Sequence, residues 1–279
     1  MDRVTLEIIQ TWKTSGSLPP IFEQSMETWI AHHPSASHRL VDDEYVWGWL
    51  DQHRHAFPHA VGDDEQQPIR TVDMFRYCYL LLHGGLYVDL DFHCLRPVDD
   101  LLGSCRDAVC LGSVVMPRPV ASSTAGDPRS WLYRNSIPNA WMYSPAPGHP
   151  LWLVVIALAQ RRRSDPWVER ATGPMLLFDA LVAYRKSRSG GEVGQIPGVR
   201  RIADACDIPI PDELPPVFVL RPEVLYPLTW ARGLHRSIIG QFRTADRIDD
   251  RLVAQVPVAE MTRAFTYWYG SWRRDGPQP

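Results

Sequence analysis

The chain has 279 residues, a length that one large α/β enzyme domain normally fills, and 45% apolar with 22% charged residues allow it a sizeable core. A net charge of −3 gives no reason to expect nucleic-acid or anionic-membrane binding. The five cysteines (Cys78, Cys94, Cys105, Cys110, Cys206) match no metal spacing, which leaves free buried thiols in a reducing compartment.

Residues 6–12 read as an opening strand, and Pro19-Pro20 starts a helix over 21–32. A short strand over 37–41 and a Trp-rich helix over 44–53 follow, then a polar loop. The helix over 68–83 is apolar almost all the way round, which predicts burial on most sides. Gly84-Gly85 ends it, and 86–90 forms a fully buried strand. Strands are expected over 107–112 and 139–143. Between them, 113–138 is rich in Pro, Ser and Gly and reads as a lid or acceptor loop. An amphipathic helix over 149–163 ends in Arg161-Arg162-Arg163, and Gly173-Pro174 opens another helix to about residue 188. Residues 187–198 read as a flexible turn, 217–220 as a late strand and 262–272 as an aromatic tail. Strands alternating with helices predict an α/β fold with a largely parallel sheet and one domain over 1–279. The N-terminus shows no signal-peptide core, and the longest apolar run, Leu151 to Ala159, is shorter than the about 20 residues that span a bilayer. A cytoplasmic protein without a transmembrane segment is the expectation.

Gly84-Gly85-Leu86-Tyr87-Val88-Asp89-Leu90-Asp91 is the most informative stretch. In a strand, Asp89 and Asp91 share one side and can present both carboxylates to one site. Two such acids repel unless a proton or cation lies between them, and Mg²⁺ or Mn²⁺ meets that need while also binding phosphates. In the preceding helix Asp73 and Arg76 are three apart and share a face. They form either a plain intrahelical ion pair or a part of the same site, where a guanidinium could bind phosphate and a carboxylate could hold sugar hydroxyls. Haloacid-dehalogenase-type phosphatases also carry Asp-x-Asp after an apolar strand. They continue with Gly-Thr, whereas Asp91 here precedes Phe92-His93. His93 and His83 read as a loop histidine and a helix-end residue.

The ordered set Arg70-Thr71-Val72-Asp73-Met74-Phe75-Arg76-Tyr77, Leu80 and Gly84 through Asp91 resembles the core signature of glycosyltransferase family 32. That family holds fungal α-mannosyltransferases and bacterial cell-surface sugar transferases, and clostridial toxin glucosyltransferases share a related pattern. Ile8 through Lys13, Asn139 through Ser144, Gly148 through Trp152, Thr172-Gly173-Pro174 and Gly270-Ser271-Trp272 are similar to its other blocks, in family order. The resemblance implies a GT-A type nucleotide-sugar-binding fold with a central mixed, largely parallel sheet. It implies a retaining, Mn²⁺- or Mg²⁺-dependent transfer from a UDP- or GDP-sugar to a glycan, lipid-linked or small-molecule acceptor. By it, Asp89 and Asp91 would hold the metal and the nucleotide, Asp91 most firmly. Asp73 and Arg76 would contact the donor sugar, with Asn139 near it. Trp12 would lie at the nucleobase, and Ser271 and Trp272 would close on the diphosphate. Many relatives carry a His shortly before the closing Ser-Trp, and Phe265-Thr266-Tyr267-Trp268-Tyr269 holds none. That departure favours the other reading, a non-catalytic nucleotide-sugar-binding protein, and the intact Asp73, Arg76, Asp89 and Asp91 oppose it.

Overall fold

Alternation along short apolar strands divides this molecule into two packed faces. The computed structural model describes residues 6–61, 68–105, 107–114, 136–230 and 233–270. The strands are β1 (Glu7–Trp12), β2 (Ser37–Asp42), β3 (Gly85–Val88), β4 (Phe92–Cys94), β5 (Val109–Gly112), β6 (Trp141–Ser144), β7 (Val217–Leu220) and β8 (Ala264–Thr266). Six of them form one sheet in the order β2-β1-β3-β6-β5-β7, while β4 and β8 form an antiparallel pair. Within the large sheet β6 runs against both its neighbours, and the other five strands run together. The expected α/β class with a mixed, largely parallel sheet is therefore observed.

The helices are α1 (Pro20–His32), α2 (Asp43–Gln52), α3 (Pro68–His83), α4 (Asp99–Ser104), α5 (Pro150–Arg161), α6 (Val168–Ala171), α7 (Pro174–Lys186), α8 (Gly190–Gln195), α9 (Val199–Ala205), α10 (Pro222–Leu225), α11 (Gly233–Thr244) and α12 (Asp250–Val253). Ile9, Tyr87, Leu111 and Met142 face one side of the sheet and pack with α3, α5 and α7. Ile8, Leu86, Val88, Cys110 and Trp141 face the other side and pack around Trp29. A third cluster joins Ile21, Phe22 and Leu90 to α11 and to Phe265 and Tyr267 of the C-terminal segment. Among the described residues no helix is long and apolar enough to cross a membrane.

Helix α3 is buried from Asp73 to Leu81, as its all-round apolar pattern requires. Three expectations need correction. Helix α5 is not amphipathic: residues 150–157 are all buried, because α3, α7 and α9 enclose it. Part of the expected turn over 187–198 is helix α8, whose first turn is capped by Ser189 accepting from the Glu192 N–H. The apolar strand ends at Val88 rather than continuing to residue 90, since a turn closed by Phe92 N–H to Asp89 C=O at 3.1 Å starts there. Of the segment 113–138, residues 115–135 lie outside the described residues.

Gly84 and Gly85 make the step from α3 to β3 possible. Their φ angles are 71° and 92°, in the left-handed region, and Gly84 N–H closes the helix on Leu80 C=O at 3.0 Å. A Cβ on Gly85 would also lie 2.8 Å from the Glu7 carbonyl oxygen of the adjacent strand. Gly85→Ala should therefore lower stability by at least about 2 kcal/mol, read as an earlier urea midpoint with an unchanged slope.

Candidate active site

Helix α3 ends a glycine step before β3, so the side chains of its buried face meet those that follow the strand. Arg76 lies between two carboxylates. Its Nη2 is 3.3 Å from Asp73 Oδ1, and its Nη1 is 3.2 Å from Asp89 Oδ1. Nη1 also donates to the Asn139 carbonyl at 2.8 Å, and the guanidinium carbon stands 4.4 Å from the centre of the Tyr87 ring. Asp73 accepts from Asn139 Nδ2 on Oδ1 at 2.8 Å and from the Thr172 hydroxyl on Oδ2 at 2.9 Å. Tyr77 in turn donates to the Thr172 carbonyl at 2.8 Å. Asp73, Arg76, Asn139 and Thr172 thus form one buried polar network.

Asp89 leaves β3 with its N–H still bonded to the Ala140 carbonyl at 2.8 Å. Tyr87 donates to Asp89 Oδ1 at 2.7 Å. With the phenol proton spent there, the Thr11 hydroxyl at 3.0 Å is the donor to the Tyr87 oxygen. The side chains of Asp73 and Arg76 are 5% and 4% exposed, but that of Asp89 is 33% exposed, so Asp89 is where a soluble ligand reaches this network. Burial raises the Asp89 carboxyl, against the opposing pull of Arg76 and the Tyr87 hydroxyl. Burial pushes Asp73 up to about 6 despite Arg76 and the Thr172 hydroxyl.

Asp91 sits in the turn beyond, not on a strand face shared with Asp89. The C-terminal segment brings its backbone to Asp91: Tyr269 N–H donates to Oδ2 at 2.8 Å, and Tyr267 N–H donates to the Asp91 carbonyl at 3.2 Å. The β4–β8 pairing places the segment there, since Phe92 is opposite Thr266. Asp91 Oδ1 is buried and has no hydrogen-bond partner. Burial and the neighbouring Asp89 push the Asp91 carboxyl up to about 7, against the Tyr269 N–H. Such a group is costly to ionise unless a cation meets it.

Among the described residues, no three His, Cys, Asp or Glu side chains gather into a cation cage. The pair nevertheless fits a hard divalent ion that takes its remaining ligands from water and a diphosphate, because Asp91 offers an unused buried oxygen beside a second carboxylate. His93, on β4, has its ring 5.3 Å from Phe265, and burial pushes it down to about 4, so it is a neutral imidazole at pH 7. Trp12 ends β1, and its ring lies 4.8 Å from Phe22, which lies 4.8 Å from Tyr269. This places Trp12 two rings from the residue that holds Asp91. Ser271 and Trp272 lie outside the described residues.

The sequence reading did not single out Tyr87, Thr11 or the Tyr269 N–H. Tyr87 had a signal, since it stands two residues before Asp89 and shares its side of the strand. A backbone donor such as Tyr269 leaves no mark in residue type.

Residues 19–106 match the family model described as a glycosyltransferase sugar-binding region containing the DXD motif. An initiation-specific alpha-1,6-mannosyltransferase of Candida albicans is 27% identical over 164 residues, which are 54% of this chain and 41% of that protein. A protein of the same name from Schizosaccharomyces pombe is 26% identical over 202 residues, 62% of this chain and 47% of that one. This chain spans less than half the length of these curated relatives. Among solved structures, the PaToxG glycosyltransferase superposes with a TM-score of 0.43 at 13% identity, covering 75% of this chain and 80% of that chain. Site and matched region together define an α/β protein with a DXD-type sugar-binding region. The matches support assignment of the chain to glycosyltransferase family 32.

Arg76 pairs with both Asp73 and Asp89. Arg76→Met would leave those charges uncompensated and should cost about 3–5 kcal/mol in urea unfolding at pH 7.

Proposed function

We propose that this chain is a divalent-cation-dependent glycosyltransferase that moves a hexose from a nucleoside-diphosphate sugar to a hydroxyl acceptor with retention of configuration. The observation that carries the reading is Asp91 Oδ1, buried and without a partner, beside Asp89 and the Asp73–Arg76 network. Asp91 and Asp89 would hold Mn²⁺ or Mg²⁺. A bound cation of this kind stabilises the negative charge that grows on the departing diphosphate.

The chain's own residues have separate tasks in this reading. Arg76, fixed by Asp73, Asp89 and the Asn139 carbonyl, presents positive charge on the sugar side of the diphosphate. Asn139 and Asp73 would act on the sugar side from behind Asp89, by holding Arg76, and Trp12 would border the base by stacking. Asp73 is an unsuitable nucleophile, because both its oxygens are engaged and it is buried among Thr172, Asn139 and Arg76. This supports a front-face reaction, in which the leaving phosphate helps deprotonate the acceptor, over a covalent glycosyl-enzyme of the glycosidase kind. The names of the fungal relatives put mannose first among the candidate sugars, with UDP- and GDP-donors both to be tested. A GT-A type fold follows from the same family assignment. The five free cysteines support residence in the reducing cytoplasm.

A thermal-shift panel of UDP, GDP and their hexose conjugates, each with and without Mn²⁺, tests the reading. A species that binds only the folded chain at a hundredfold excess over Kd adds about 2.7 kcal/mol of stability. At least one nucleotide should raise Tm only when Mn²⁺ is present, and Asp91→Ala should remove that rise together with donor hydrolysis. No shift for any nucleotide, or an undiminished shift in Asp91→Ala, would overturn the assignment. Intact-mass spectra during turnover should show no hexose adduct on the protein, and a stable adduct would replace the front-face reaction by double displacement. The absence of His from 265–269 favours a binding protein without catalysis. Metal-dependent nucleotide binding with neither transfer nor donor hydrolysis would establish that instead.

A further inference from the structure

Tyr269 is held from both ends of its peptide. Its N–H is spent on Asp91 Oδ2 at 2.8 Å, and its carbonyl accepts two bonds from Arg243, from Nε at 3.1 Å and from Nη2 at 2.7 Å. The segment around it has an unusual backbone. Trp268 has a φ of 53° and Gly270 a φ of 61°, so a bulky residue and a glycine both take the left-handed region within three positions. Such a conformation persists only where its surroundings over-determine it. Here Trp268 N–H is tied to the Thr266 hydroxyl at 3.0 Å and Trp268 Nε1 to the Leu228 carbonyl at 3.1 Å. Arg243 supplies a further hold.

The seat of Arg243 is itself well defined. Helix α11 buries Ile238, Ile239 and Phe242, and the Phe242 ring stacks 5.6 Å from Tyr267 and lies 5.4 Å from Phe265. The next residue, Arg243, lays its guanidinium 4.9 Å from the centre of the Trp230 ring while forking onto Tyr269. A planar fork that stacks and chelates one oxygen is a geometry that lysine cannot reproduce. Through one side chain, helix α11 holds the peptide whose N–H engages Asp91 Oδ2.

We propose that Arg243 is a positioning residue for the cation site: by fixing the Tyr269 peptide it keeps Asp91 Oδ2 engaged and Oδ1 open to a divalent ion. This rests on the cation role assigned to Asp91 above. The Arg243 charge also draws the Asp91 carboxyl down and by itself opposes a cation, whereas the fork onto the Tyr269 carbonyl is what positions Asp91. Its effect travels through Tyr269, as the partners that orient metal ligands do elsewhere, and loss of such a partner weakens ion binding by about 10–100-fold.

The test uses the full chain with Mn²⁺ alone and with Mn²⁺ plus UDP or GDP. Bound Mn²⁺ is read from loss of the free-ion electron paramagnetic resonance signal. Chymotrypsin cleavage after Tyr269 without cation is the second readout. Arg243→Met should bind Mn²⁺ about 10-fold more weakly and be cut several-fold faster, and Arg243→Lys should fall between it and the wild type. Arg185→Met is the control. It removes a comparable guanidinium bond, to the Val217 carbonyl at 3.1 Å, on α7, and should leave both readouts unchanged. Wild-type Mn²⁺ affinity or an unchanged cleavage rate in Arg243→Met overturns the proposal, as does equal weakening in Arg185→Met. If Arg243→Met does not fold, Arg243→Lys decides, and wild-type affinity there overturns it. Failure of the unmutated chain to bind Mn²⁺ with either nucleotide overturns the cation reading itself, and the wild-type arm alone shows it.

Discussion

Burying the Arg76 guanidinium between Asp73 and Asp89 obliges three parts of the chain to stay in register. A charge that is 4% exposed is tolerable only if its partners remain within hydrogen-bond reach. Those partners come from α3 itself, from the turn after β3, and from the Asn139 carbonyl just before β6. Tyr87 adds a ring face beneath the guanidinium and a hydroxyl on the same Asp89 oxygen. The helix, the central strand and its antiparallel neighbour are thereby joined at one charge, and the joint lies where the site must be built. The two left-handed glycines at 84 and 85 let so short a connection bring it about.

The polar groups divide into a closed part and an open part. In the closed part, Asp73 has both oxygens engaged, and Thr172 is held in turn by Tyr77. A buried carboxylate engaged on both oxygens holds its partners in one geometry. In the open part, Asp89 is one-third exposed, and Asp91 has one engaged oxygen and one without a partner. The closed part can orient a ligand without reorganising. In the open part burial raises both carboxyls although Arg76 pairs with Asp89 and Arg243 draws on Asp91, and an added cation would offset that cost. A ligand that brings a cation and a diphosphate together answers both needs at once.

Much of this arrangement was legible in residue order. The all-round apolar helix, the glycine pair and the apolar strand after it stand where their patterns put them, because burial on two faces and a tight turn each demand particular residue types. The i, i+3 spacing of Asp73 and Arg76 gave their shared face correctly. Strand geometry misled for Asp89 and Asp91, whose proximity comes from a turn, because a run of apolar residues does not mark where ladder pairing stops. Helix α5 read as amphipathic because its last turn is basic, and only the helices around it reveal that the preceding turns are enclosed. Strand β4 is three residues long and exists because β8, about 170 residues later, pairs with it, a contact that local pattern cannot carry.

The closing segment shows the same point from the functional side. Its lack of histidine looked like a gap in the metal shell. Yet what the segment gives to Asp91 is mainly backbone, the N–H groups of Tyr267 and Tyr269, supported by the Thr266 hydroxyl. Backbone donors do not depend on the identity of the side chain that bears them. They depend on the path of the chain, which here is set by strand pairing at Thr266, by Tyr267 and Tyr269 packing on Phe22, and by the Arg243 fork. Phe22 also carries Trp12, so the residue expected at the base and the peptide that holds Asp91 share one aromatic support. In this chain the aromatic residues of 265–269 act through packing, by fixing where the backbone N–H groups that meet Asp91 fall.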